Sequence, residues 1–159
     1  MTLPIVIAAL TAIFVLGVGG WMTTIGSWYQ NLRKPTWNPP NWVFGPAWTV
    51  ILSLAAWSGV LAWSNAVTGT EQLRVIMLFG INIFFHMLWS PLFFILGRPD
   101  WALIEIPFLW ISIIALMFGL APLSPACTWL LLPYVLWVTF AAFLNLMIVR
   151  MNRPFERLS

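Results

Sequence analysis

Asn82, His86, Trp89 and Phe93 follow one another at intervals of four, three and four residues, the spacing of one helical face. That face carries an amide, an imidazole and two aromatic surfaces inside an apolar stretch. Such a set suits the holding of a flat apolar ligand, with rings as walls and one or two polar groups to orient it. The same residues would act as interhelical glue if Asn82 and His86 bonded to neighbouring helices. Periodicity leaves both readings open. His86 is the one histidine of the chain, so axial ligation of a haem iron is a further reading, with simple packing as its alternative.

Few other residues offer chemistry. Asp100 is the sole aspartate and lies in a connection, so no Ser/His/Asp arrangement is expected. There are no paired carboxylates for acid–base work, no glycine loop that would cradle phosphate and no spacing that would ligate a metal. The sequence therefore points away from a standard enzyme and from an obligatory cofactor. Cys127, the single cysteine, excludes an internal disulfide and reads as a small packing residue. Glu105 lies one turn into an apolar stretch, where a carboxylate must be protonated or paired. Arg98 is its expected partner, making Glu105 an anchor at the membrane edge rather than a proton relay. Ala8, Ala12, Gly19 and Thr23 form a small-residue face, fit for close helix packing within the bundle or between two copies.

The elements that carry these residues follow from composition. The 159 residues are 62% hydrophobic and 7% charged, whereas a soluble domain has roughly 25% charged residues. The chain cannot cover a water-facing surface and is a membrane protein. Five stretches, 3–22, 44–64, 75–96, 101–120 and 126–149, reach the ~20 residues a spanning helix needs, and only Glu105 carries a charge within them. Transmembrane strands would alternate over ~10 residues, and no such pattern occurs. The expected fold is an all-α bundle of five transmembrane helices, one membrane domain over 1–159, with a long structured loop over 23–43. The first stretch lacks a basic n-region and is read as a retained span. The remaining connections are short, which makes successive helices antiparallel neighbours. With the N-terminus outside, Arg33, Lys34, Arg98, Arg150, Arg153 and Arg157 fall inside and only Arg74 outside, so the positive-inside rule favours N-out, C-in.

Twelve tryptophans exceed what interface belts require. Trp28, Trp37, Trp42, Trp63 and Trp129 lie near predicted span ends and fit such belts. Trp48, Trp57, Trp89, Trp110 and Trp137 lie deeper, where each indole N–H needs a partner. The segment "KPTWNPPNW" (34–42) holds three prolines and two tryptophans. It must be stiff and non-helical.

Residues 28–49, "WYQNLRKPTWNPPNWVFGPAWT", resemble the first-loop signature of the TspO/translocator-protein family, the tryptophan-rich sensory proteins related to the peripheral benzodiazepine receptor. "LWSPLFF" (88–94), "WALIEI" (101–106) and "LPYVLWVTFAAFLN" (132–145) agree with it in order. The resemblance implies a five-helix bundle, often homodimeric, that binds porphyrins, sterols and synthetic isoquinoline or benzodiazepine ligands beneath the first loop. It implies that the loop is a lid with Trp37, Pro39 and Pro40 shaping its roof, stiff enough to lower the ordering cost of closure. It implies pocket roles for Trp48, Trp89, Trp101 and Trp137, with Ala141 and Leu144 as lining. This chain departs from the family at three places: His86 replaces the usual Asn, Leu52 replaces a tyrosine, and Leu146 stands where the cholesterol-recognition pattern has its central tyrosine. An imidazole at position 86 is expected to donate to a ligand carbonyl or carboxylate.

The leading expectation is a membrane-embedded binding protein for porphyrin-type tetrapyrroles, with haem as another ligand, acting as sensor, carrier or scavenger and working as a homodimer. The alternative is an enzyme for oxidative, light-dependent protoporphyrin breakdown, with Trp137 as the redox participant. A transporter is a third reading, against which stand the missing inverted repeat and charged pathway. The bacterial inner membrane is the first expectation, with the bacterial and mitochondrial outer membranes as alternatives. No nucleic-acid partner is expected.

Overall fold

The structure, a computed structural model, describes residues 2–155. The expectation of an all-helical chain holds. Five long apolar helices are present, and no strand occurs among the described residues. They are α1 (Thr2–Met22), α3 (Asn41–Asn65), α4 (Gly69–Ser90), α5 (Pro99–Leu120) and α6 (Pro125–Asn152), with a short α2 (Ser27–Asn31) between the first two. The chain is an integral, multi-pass membrane protein. Arg157 lies outside the described residues.

Local chemistry sets the ends. Pro99 and Pro125 open α5 and α6, where a missing N–H costs nothing. Helix α4 starts six residues before the expected 75 because Thr68 and Glu71 form a capping box. The Glu71 N–H donates to Thr68 Oγ1 at 3.2 Å, and the Thr68 N–H donates to Glu71 Oε2 at 3.0 Å. At the other end of α4, Pro91 lacks an N–H and Pro91–Ile95 runs as a π turn, closed by the Leu96 N–H on the Pro91 carbonyl at 2.9 Å. The turn brings both Phe93 and Phe94 inward. Gly97 then takes a left-handed φ of 59°, open to glycine at no steric cost, and α5 can begin two residues later.

The first connection corrects the expectation of a loop throughout. Residues 27–31 form α2, because Tyr29 has somewhere to go: its ring is buried against Phe93 and Phe94, at 6.4 and 5.5 Å between centroids. Its carbonyl and that of Leu32 accept hydrogen bonds from the Lys34 ammonium, which also lies 4.2 Å from the centre of the Tyr29 ring. Burial pushes the Lys34 ammonium below its ordinary pKa. The connection is also tied to the far end of the chain. The Arg33 N–H donates to Asn152 Oδ1, and Asn152 Nδ2 donates to the Arg33 carbonyl, both at 2.8 Å.

Around the bundle, α1 packs on α3, α3 on α6, α6 on α5 and α5 on α4, with lighter contact between α4 and α1. The half of the bundle farther from the first connection is solid. Ala62, Leu116, Leu120, Cys127 and Leu131 are wholly buried there. Ser58 and Cys127 allow α3 and α6 to close up: Ser58 Oγ donates to the Cys127 carbonyl at 3.3 Å and Cys127 Sγ to the Ser58 carbonyl at 3.4 Å. Across α4 and α5 the close approach rests on Gly119, where an added Cβ would stand 2.5 Å from Leu78 Cδ1. At Gly80 a Cβ would meet nothing within 4 Å. Gly119→Val should therefore cost about 1–3 kcal/mol through overpacking. Gly80→Val should leave the thermal midpoint in detergent nearly unchanged, and equal midpoints for the two variants would refute this account of the α4–α5 contact.

Candidate ligand-binding cavity

The half of the bundle nearer the first connection is hollow. A cavity of about 360 Å³ lies among α1, α3, α4, α5 and α6, with Tyr29 of α2 and Asn41 at the start of α3 at its connection end. Its size falls in the ordinary range for small-molecule sites, about 300–1,000 Å³.

Three indoles form its walls. Trp48 from α3 and Trp137 from α6 meet edge to face at 6.3 Å, and Trp48 meets His86 in the same way at 4.8 Å. Trp89 stacks on Phe93 at 5.0 Å across the π turn. Ala141 and Leu144 complete the α6 side. Trp48, His86, Trp89, Phe93, Trp137, Ala141 and Leu144 thus all lie on one cavity, drawn from three helices and the π turn. Leu52, where the family has a tyrosine, lines it as well.

Other expected residues lie elsewhere. Trp37 is half exposed and packs on Phe140 at 5.8 Å, and Phe140 in turn packs on Trp137 at 5.6 Å. Pro39 and Pro40 do not line the cavity; Pro40 instead starts α3, whose first residue, Asn41, does. The Tyr29 hydroxyl donates to Asn41 Oδ1 at 3.3 Å. Trp101 stands outside, 41% exposed, with the Arg98 guanidinium 4.5 Å from its ring centre. Of the five deep tryptophans, Trp57 and Trp110 face outward, and the Trp110 N–H donates to Thr139 Oγ1 at 2.9 Å. Trp28, expected in an interface belt, packs edge-on against Phe93 at 6.0 Å.

The polar face of α4 divides. Asn82 is buried and serves as interhelical glue: its Nδ2 donates to Ser112 Oγ of α5 at 2.9 Å, and its Oδ1 accepts from the Tyr134 hydroxyl of α6 at 3.3 Å. His86 does both jobs, since its Nδ1 lies 3.0 Å from the Tyr134 oxygen while the residue lines the cavity. Glu105 is not paired with Arg98. Arg98 forms a bidentate pair with Asp100, two residues away, and both Glu105 oxygens are buried with no partner among the described residues.

Sequence reading missed the α1 contribution. Gly19 and Thr23, assigned to a packing face, line the cavity together with Val15, Leu16 and Gly20. It also missed Asn145, which is 1% exposed, lines the cavity, and leaves both amide atoms without a protein partner. The Trp89 and Trp137 N–H groups likewise have no partner among the described residues. No Lys, Arg, Asp or Glu is among the lining residues. Among the described residues the lining thus offers aromatic planes and a few neutral polar groups and no charged side chain, while the unpartnered indole and amide atoms are themselves packed against protein.

A model of the TspO/MBR family matches residues 5–151. Similar proteins include a tryptophan-rich protein TspO of Chlorobaculum tepidum, 37% identical over 79% of this chain and 80% of its own length. Protein CrtK of Rhodobacter capsulatus is 31% identical over 96% of this chain and 95% of its own. The human translocator protein is 32% identical over 79% and 75%, respectively.

Ala141→Thr adds atoms at the cavity wall, where there is room, so stability should change little. A ligand held there should bind more weakly, by about 1–3 kcal/mol if it overpacks. Parallel thermal and binding curves check this: a large drop in midpoint with unchanged affinity would make Ala141 a helix contact rather than cavity wall.

Proposed function

This chain belongs to the TspO/MBR family, and on that footing we propose that it binds a tetrapyrrole, protoporphyrin-like in its flat apolar ring, within the bundle. The observation that carries this is the convergence of Trp48, Trp89 and Trp137 with His86 on one uncharged cavity. Flat indole walls match a flat conjugated ring, and polar lining such as His86 and Asn41 supplies orientation. The tie between Arg33 and Asn152 and the seat of Tyr29 hold the first connection in place across the cavity end. A ligand need not order that segment on binding, which supports affinity. The role that fits is sensor, carrier or scavenger. The same lining takes sterols or synthetic aromatic ligands as secondary guests.

A second reading, light-dependent oxidative breakdown of the bound ring, draws on one feature. The Trp137 indole lines the cavity, where it would be the redox participant, with light-activated dioxygen as the oxidant. The basic residues Arg33, Lys34, Arg150 and Arg153 cluster at the connection end and Arg74 at the other, which supports an inner-membrane placement with N-out and C-in. The outward apolar side of α1, with Val15 as its only buried residue, is where a second copy would dock in a homodimer.

Titration of the purified protein with protoporphyrin, haem and cholesterol, followed by mass analysis of what stays bound, tests the proposal. Protoporphyrin should quench tryptophan fluorescence at one ligand per chain. Trp137→Phe should weaken that binding by about 0.5–1.5 kcal/mol, the scale of one aromatic contact. A new absorbing product that requires light and Trp137 would favour the enzymatic reading, and retention of cholesterol alone would reject the tetrapyrrole.

A further inference from the structure

We propose that a hydrogen-bond chain across three helices fixes His86 with its proton on Nδ1, so that Nε2 offers the cavity a bare lone pair and selects a ligand group that donates. The class of ligand rests on the tetrapyrrole reading above; the protonation of the ring does not.

The chain has one direction. Ser112 Oγ lies 2.6 Å from the Leu109 carbonyl, which can only accept, so the Ser112 proton points there. Ser112 Oγ must then accept from Asn82, at 2.9 Å. This settles which end of the Asn82 amide faces it. Reversed, Asn82 would set two acceptors against each other. The amide oxygen is thereby turned to Tyr134, whose hydroxyl donates to it at 3.3 Å. With that proton committed, the Tyr134 oxygen can only accept from the third neighbour, His86 Nδ1, at 3.0 Å. Nδ1 therefore carries the proton, and in a neutral imidazole Nε2 does not. The opposite assignment leaves the buried Asn82 oxygen without a donor, at a cost of about 1–3 kcal/mol.

Position completes the case. Asn82, Ser112 and Tyr134 are buried away from the cavity wall, whereas His86 is part of it. The Nδ1 edge faces inward to the chain, and the Nε2 edge is left toward the cavity. Trp48 stands edge-on to the ring at 4.8 Å and holds its plane. An Nε2 lone pair accepts from an outward-facing O–H or N–H, such as a protonated propionic acid of a porphyrin, and repels a carboxylate or ketone oxygen. This reverses the donor role expected of the imidazole from sequence. Tyr134 is accordingly a positioning residue that sets specificity without touching ligand.

Because the chain has a single histidine, nitrogen-15 labelling of histidine reports on this ring alone. In ligand-free protein in lipid nanodiscs near neutral pH, NMR should show a protonated Nδ1 and an unprotonated Nε2. Tyr134→Phe should shift the population toward protonated Nε2, and Ser112→Ala, which frees the Asn82 amide to turn, should do the same if the first variant fails to fold. An unprotonated Nδ1 with a protonated Nε2 in the unaltered protein would overturn the proposal. On adding protoporphyrin, the Nε2 resonance should move upfield as it accepts a hydrogen bond, and His86→Phe should lose roughly two- to tenfold in affinity. Tryptophan quenching with an unmoved Nε2 resonance would overturn the donor selection. Absence of any quenching would count against the tetrapyrrole reading, while the ligand-free spectrum would still decide the tautomer.

Discussion

Hydrocarbon supplies no hydrogen-bond partner, so every polar side chain within the spans must find one in the protein or face a cavity. The two halves of the bundle meet this constraint differently. In its solid half the polar groups are few and mutually satisfied, as in the Ser58–Cys127 exchange and the Thr128 hydroxyl on the Met117 carbonyl at 2.9 Å. In its hollow half several find no partner among the described residues: the Trp89 and Trp137 N–H groups, the Asn145 amide and the carboxyl of Glu105, which does not line the cavity. Groups of that kind are costly to keep, and most of them gather where the cavity lies.

Much of this was legible in the sequence, for identifiable reasons. Long apolar runs with one internal charge specify spanning helices because length and hydrophobicity are the whole requirement. The Asn82–His86–Trp89–Phe93 face was visible because helical periodicity survives in a membrane helix. What periodicity could not do was divide that face, since the partners of Asn82 and His86 lie 30 and 48 residues away on α5 and α6. The resemblance to a known family placed Trp48, Trp137 and Ala141, which local pattern alone would have left as wall or packing.

The misses have physical causes too. The prolines after Lys34 suggested an irregular loop, but the residues before them meet an aromatic seat on Phe93 and Phe94 and turn into α2. Glu105 was assigned to Arg98 by proximity in sequence, yet Asp100 is nearer and bidentate. Trp101 starts α5 on the side of Arg98, so its ring turns to the guanidinium and away from the cavity. The small residues of α1 carry an ambiguous signal, because a missing side chain permits either close packing or open space. At Gly19 and Gly20 the space is open.

A tetrapyrrole held by this cavity would lie inside the bundle against Trp48, Trp89 and Trp137 rather than on the lipid-facing surface. Bound protoporphyrin is itself a photosensitiser, so brief illumination in nanodiscs, digestion and mass mapping of oxidised tryptophan would locate it directly. The account predicts oxidation concentrated at Trp48, Trp89 and Trp137 and sparing of the exposed Trp21 and Trp129. Oxidation centred on Trp21 and Trp129, with the three cavity indoles intact, would contradict it.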